Sequence, residues 1–176
     1  MRRFLLGLVL LAVLFGSPYA ALVLNRAMGP WSATGIEQDG STTAFHFDPN
    51  MPAADFVPVF PGASVVQSSR VVSAAAPSGV GFLDLAVHAS AVEVRDFYRS
   101  QWEAAGFTVE DLGTMGLNPA AAAYLGVDGT LVAKRTATDD VVMIQIRGEE
   151  GVLLRSRGLQ LQWRKLSEWP AGQPKP

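Results

Sequence analysis

Cysteine is absent from the 176 residues. That excludes disulfides, thiolate metal sites, a cysteine nucleophile and acylation of an N-terminal cysteine. Histidine occurs only twice, at His46 and His88. Each has a carboxylate nearby in sequence, Asp48 and Asp84 respectively. On an extended strand, however, two residues span about 7 Å and four about 13 Å, too far for a hydrogen-bonded pair. There is no Gly-x-Ser-x-Gly elbow, no phosphate loop and no Gly-x-Gly-x-x-Gly. The acidic pairs Glu110-Asp111, Asp139-Asp140 and Glu149-Glu150 lack the alternating oxygen pattern of a calcium loop and read as solvated turns. No local set of three or four His or carboxylate ligands is seen. Catalytic, metal and cofactor-binding residues are therefore left unassigned. A net charge of -2 supplies no field to recruit nucleic acid.

What the chain does have is one long apolar run. It opens at Phe4, closes at Leu24 and holds 21 residues without a formal charge. As a helix it spans roughly 31 Å, close to the thickness of a hydrocarbon core. Arg2 and Arg3 precede it and only Arg26 follows closely, a bias that keeps the N-terminus in the cytoplasm and exports the rest. Cleavage by a signal peptidase wants small residues in an Ala-x-Ala-like pattern. Pro18-Tyr19-Ala20 puts proline at one of those positions, and the apolar run continues beyond it. An uncleaved anchor is the favoured reading. The cleaved signal stays open, because Gly16-Ser17-Pro18 interrupts the helix as the end of a signal peptide's apolar region would. Both readings place the domain outside the cytoplasmic membrane.

Organisation past the leader is simple. Residues 1–26 are the transmembrane signal-anchor or signal peptide, and 27–56 a linker and lead-in. Residues 57–166 are the exported domain, and 167–176 a flexible proline-rich tail. Within the lead-in, Ala44-Phe45-His46-Phe47 alternates as a short edge strand would, both phenylalanines on one side and His46 on the other. Strands are expected at 65–72 and 81–88, joined by the turn "AAAPSG", then at 108–112, 130–136, 141–147 and 152–165. A bulge is expected at Gly158. Residues 118–126 read as a short helix or a loop. The strongest local signal is "SAVEVRDFYRSQWEAAGF". Ser90 and Glu93 make a capping box, and Val94, Phe97, Tyr98, Trp102 and Ala105 form one apolar stripe. Gly106 supplies a left-handed cap, with Phe107 folding back on the last turn. The fold class is α+β, an N-terminal transmembrane helix followed by an antiparallel sheet with one amphipathic helix packed on a face.

The stretches "FPGASVV", "VRDFYRSQWEAAGF" and "LVAKRTATDDVVMIQI" together resemble the pattern of small uncharacterised bacterial envelope proteins and lipoproteins. Those carry a Pro-Gly-Ala before the first strand, a Phe-Tyr helix ending in Gly plus an aromatic, and a following hairpin. The likeness covers about residues 58–147. It implies an α+β domain outside the cytoplasmic membrane and no particular activity, and the missing cysteine leaves lipid anchoring unimplied.

Charge is unevenly spread. Residues 30–130 hold eleven acids against three bases, whereas 131–165 hold seven bases against four acids. Arg155 and Arg157 fall two apart, on one strand face; with Arg135 and Arg147 beside them they would make a basic strip. Such a strip either guards a solvated sheet against aggregation or docks anionic lipid or an acidic envelope protein. The expected function is a membrane-tethered, exported, non-enzymatic domain that binds or scaffolds another cell-envelope component. The alternative is a periplasmic hydrolase using a histidine and a carboxylate.

Overall fold

The computed structural model describes residues 29–37, 39–48, 50–114, 122, 126–150 and 156–169. The strands are β1 (Trp31–Ile36), β2 (Thr42–Phe47), β3 (Ser64–Ser73), β4 (Ala76–Val87), β5 (Thr108–Gly113), β6 (Val127–Arg135), β7 (Asp140–Glu150) and β8 (Ser156–Lys165). They form a single antiparallel sheet in the order β1-β2-β3-β4-β8-β7-β6-β5. Two four-stranded meanders thus meet where β4 pairs with β8. Helix α1 (Ala91–Ala104) carries the chain from that seam to the far edge at β5. An α+β fold with a helix on an antiparallel sheet is what the patterning calls for.

The helix ends follow from their residues. Ser90 Oγ accepts from the Glu93 backbone N–H at 3.2 Å, and the Glu93 carboxylate accepts from the Ser90 N–H at 2.7 Å. At the other end, Gly106 takes φ +79°. Its N–H reaches the Glu103 carbonyl at 3.0 Å and that of Phe107 reaches the Trp102 carbonyl at 2.9 Å. This six-to-one closure satisfies carbonyls that would otherwise be orphaned, and it folds Phe107 into the core. Of the expected stripe, Val94, Tyr98 and Trp102 are fully buried, Phe97 is half-buried, and Ala105 is exposed at the cap.

Alternation then decides which sheet face the helix covers. Leu83, Leu85 and Val87 of β4 join Leu159 and Leu161 of β8, Val142, Ile144 and Ile146 of β7, and Leu131 and Ala133 of β6. Burying each large side chain contributes about 1.5–3 kcal/mol. On the opposite face Val132 and Val141 are buried as well.

Four expectations need correction. The stretch at 27–56 is not all linker and lead-in, since β1 and β2 within it pair with each other and β2 onto β3. The lead-in belongs to the fold too. Val57 is buried, Phe56 packs on the core, and the Phe56 carbonyl accepts from the Trp102 indole at 3.1 Å. The turn in "AAAPSG" is only Ala74-Ala75, and β4 starts at Ala76. Pro77 is tolerated there because β8 joins β4 only from Gly81 onward. The bulge lies across from Gly158, on β7 between Ile146 and Glu149, while the β4–β8 register runs through Gly158 unbroken. Finally, the start of the tail is held. Ser167 donates to the Asp139 carboxylate at 3.1 Å through its N–H, and Glu168 accepts from the Ser78 N–H at 3.0 Å.

The apolar leader at 4–24, residues 118–121 and 123–125 of the stretch expected as a short helix or a loop, and residues 170–176 lie outside the described residues. Among those described, no helix is long and apolar enough to cross a membrane.

Candidate functional site

The three arginines of the expected basic strip that are described fall in three different places; Arg155 lies outside the described residues. Arg157 is 7% exposed and shares the helix-side face with Val87, its β4 partner. It donates to the Asp128 carboxylate, to the Arg147 carbonyl and to the Ala89 carbonyl. Arg147 points to the opposite face, where it lies over Gly158 and reaches the Gln160 amide oxygen at 3.4 Å. The β7 bulge and the register around it separate these two. Arg135 sits at the other end of the sheet beside Asp140, seven residues along β7 from Arg147, or about 23 Å. Its guanidinium lies 4.5 Å from the Phe107 ring centroid and donates to the Ala105 carbonyl at 3.3 Å, a cation closing the C-terminus of α1. These three residues form no common strip.

The acidic pairs are likewise not all solvated turns. Glu110 and Asp111 lie on β5, facing Lys134 at 3.7 Å and Arg99 at 3.4 Å. Asp139 takes the left-handed φ of +58° in the β6–β7 turn. Asp140 is buried, and its carboxylate accepts from Arg135 and Lys165, both at 2.8 Å, and from the Thr138 hydroxyl at 2.5 Å. Burial pushes that carboxyl upward, but the three donors and the Lys165 charge outweigh it and hold it below the usual range.

The two histidines do not meet. His46 pairs across the sheet with Arg70, and Arg70 with Gly81. His88 lies seven residues further along the chain, roughly 23 Å away. His46 has instead found Ser32, whose hydroxyl lies 2.9 Å from Nδ1. No described carboxylate accepts from His46, and both partners are exposed. Among the described residues no three His, Asp or Glu side chains are grouped to hold a metal ion.

What the fold does assemble is a groove of about 370 Å³ on the helix-side face, between residues 51–56 and the ends of β4, β7 and β8. Met51 is pinned there because its carbonyl accepts from the buried Ser68 hydroxyl at 3.1 Å. The floor contains Gly79 and is flanked by Trp163, whose ring lies across Gly81 so closely that a Cβ there would overlap it. Gly79 adopts φ +82°, a conformation open to glycine at little cost, and Arg70 crosses directly above it. The Arg70 guanidinium donates to the Ser78 carbonyl at 2.6 Å. No carboxylate among the described residues lies within ion-pair distance of it. Of the other two cations lining the groove, Lys165 is already neutralised by Asp140, and Arg164 has its guanidinium over the Trp169 ring. A neighbouring depression along the β1–β2 edge shares Met51 and Arg70 as lining and adds Ser32 and His46.

A second, smaller cleft of about 140 Å³ on the opposite face holds Asp84 beside Gln160 and Arg147. Burial raises the Asp84 carboxyl above its ordinary value, opposed by the Gln160 hydrogen bond and the Arg147 charge. Its Oδ1 is buried without a hydrogen-bond partner.

Arg70, Trp163 and Ser32 are the site residues that sequence reasoning did not single out. A signal existed for Arg70, which is the sole base between residues 30 and 94 and lies on a strand of small and β-branched residues. Comparison of the chain with family models, with curated proteins and with solved structures found nothing that matches it.

Proposed function

We propose that this chain is a membrane-tethered, exported, non-enzymatic domain that binds another cell-envelope component through the Arg70 groove. The tether is the apolar run at 4–24, with Arg2 and Arg3 holding its start on the cytoplasmic side. The domain then stands on the extracytoplasmic side of the cytoplasmic membrane, or is secreted if the leader is cleaved. The observation that carries the binding reading is Arg70, a cation without a carboxylate partner among the described residues, at the rim of an otherwise mostly apolar groove. Such a groove suits an acidic side chain flanked by apolar residues. The partner is therefore an acidic segment of an envelope protein, its carboxylate on Arg70 and its apolar neighbours on Met51, Phe56 and Trp163.

Affinity capture of the full chain from solubilised membranes, beside an Arg70→Glu variant, tests this. A component retained by the wild type and lost with the charge reversal supports the reading. Identical retention by both, or retention of anionic lipid alone, removes the protein partner. The Ser32–His46 contact favours a second reading, a hydrolase with Ser32 as nucleophile. Labelling of Ser32 by a fluorophosphonate, abolished in Ser32→Ala, would establish it; the binding reading expects no labelling.

A further inference from the structure

The β1–β2 hairpin carries aromatic surface for which the core has no use. Trp31 is 45% exposed and Phe45 43% exposed. Trp31 pairs with Phe47 and Ala33 with Phe45, so all three rings stand on the face opposite α1. Trp31 stacks on Phe47 at 5.7 Å, and Phe47 beneath it is buried. The result is a fixed aromatic ledge, and none of its rings belongs to the central core cluster.

Two observations say what covers it. The apolar run closes at Leu24, so only six residues, seven Cα steps, separate its end from Trp31. Fully extended, they reach about 25 Å at most, so the start of β1 stands close to whatever surface the leader enters. The ledge's own face is also uncharged, since the hairpin residues on it are Trp31, Ala33, Gly35, Thr43, Phe45 and Phe47. Neither "WSATGI" nor "TTAFHF" contains an acid or a base, while Glu37 and Asp39 lie in the turn at the opposite end of the hairpin. That turn is five residues from Trp31, about 17 Å along the strand. At the aromatic end the nearest acid is Asp48, just after Phe47 and outside the strand.

We propose that this ledge, Trp31 and Phe45 on Phe47, rests in the interfacial layer of the bilayer that the leader spans. An indole suits that layer because its ring takes the acyl side and its N–H the wet side. The contact converts a flexible tether into an oriented one. The proposal deepens the tethered reading and rests on it.

The test uses the full chain reconstituted into phosphatidylcholine vesicles, one set with brominated acyl chains that quench tryptophan at short range. Trp31 is one of four tryptophans, and none lies in the leader; Trp102 is fully buried. The expected result is quenching by the brominated lipid that is lost in Trp31→Phe and restored when Phe45→Trp is added to it. Flotation of the same vesicles reports the tether separately. If the chain floats but Trp31→Phe leaves the quenching unchanged, the ledge proposal falls and the tether stands. If the chain does not float, the tether falls and takes the ledge with it. Trp31-dependent cross-linking between two chains would also overturn the proposal, by assigning the ledge to a second copy.

Discussion

The two meanders share one topology and differ in how far burial reaches beyond the seam strands β4 and β8. In β5–β8, Leu131, Val132, Ala133, Val142, Ile144, Ile146 and Leu161 are wholly inaccessible. In β1–β4, all six residues of β1 are exposed, and only Thr43 and Phe47 of β2 are buried. The cause is the helix, which touches β5, β6 and β7. The outer edges differ in the same sense. β5 bears Glu110 and Asp111 in ion pairs and a bulge between Asp111 and Gly113, devices that discourage another strand from adding. β1 has no charged residue. One meander is the frame; the other leaves surface free for Arg70, Ser32 and Trp31. The difference teaches that identical strand connectivity does not distribute stability evenly, because burial depends on what lies above the sheet.

Substitutions can break that contrast or sharpen it. Trp102→Ala removes a fully buried indole and its hydrogen bond to Phe56, and should cost about 3–5 kcal/mol in denaturant titration. Trp31→Ala, at the exposed end of the other meander, loses its stack on Phe47 and should cost only about 1 kcal/mol. Equal losses would erase the contrast.

Asp140→Asn comes next, at about 3 kcal/mol, because it leaves Arg135 and Lys165 facing a neutral group. Its pH dependence has a definite sign. The folded-state carboxyl is held below its ordinary 3.8, so the stabilisation is present above that value and lost as pH falls through the lowered one. The gap between wild type and variant should be full at pH 6 and close in acid; a gap independent of pH would remove the ion-pair account. Ser90→Ala takes away one half of the capping box and should cost about 1 kcal/mol, read from the urea midpoint. The smallest effect is a gain. Asp84 is raised by burial, so its ionised form opposes folding at neutral pH, and acidification through the raised value relieves it. Asp84→Asn should stabilise slightly at pH 7, with the advantage shrinking as pH is lowered.

These contrasts were unequally legible in the chain. The helix could be read residue by residue, because Ser90, Glu93 and Gly106 act through local backbone geometry. The alternation of Val142, Ile144 and Ile146 also showed itself, since a strand with one face on a core must alternate. β1 did not, because a strand exposed on both faces needs no apolar period, and "WSATGI" has none. The bulge lies on the strand opposite Gly158, because the extra residue that breaks the register belongs to β7 and leaves no mark in the sequence of β8. The basic strip failed for a related reason. Arg147 and Arg157 have partners, Gln160 and Asp128, that only the register brings to them. The groove was invisible because Met51, Arg70, Gly79 and Trp163 come from four separate segments, and nothing in their spacing announces the meeting.

Native-state hydrogen exchange on the full chain tests most directly the division into a frame and a working half. Amides paired between β6, β7 and β8 should exchange only through global unfolding, while those between β1 and β2 open locally at a small fraction of that free energy. Protection of the β1–β2 amides equal to that of β7 would contradict the account.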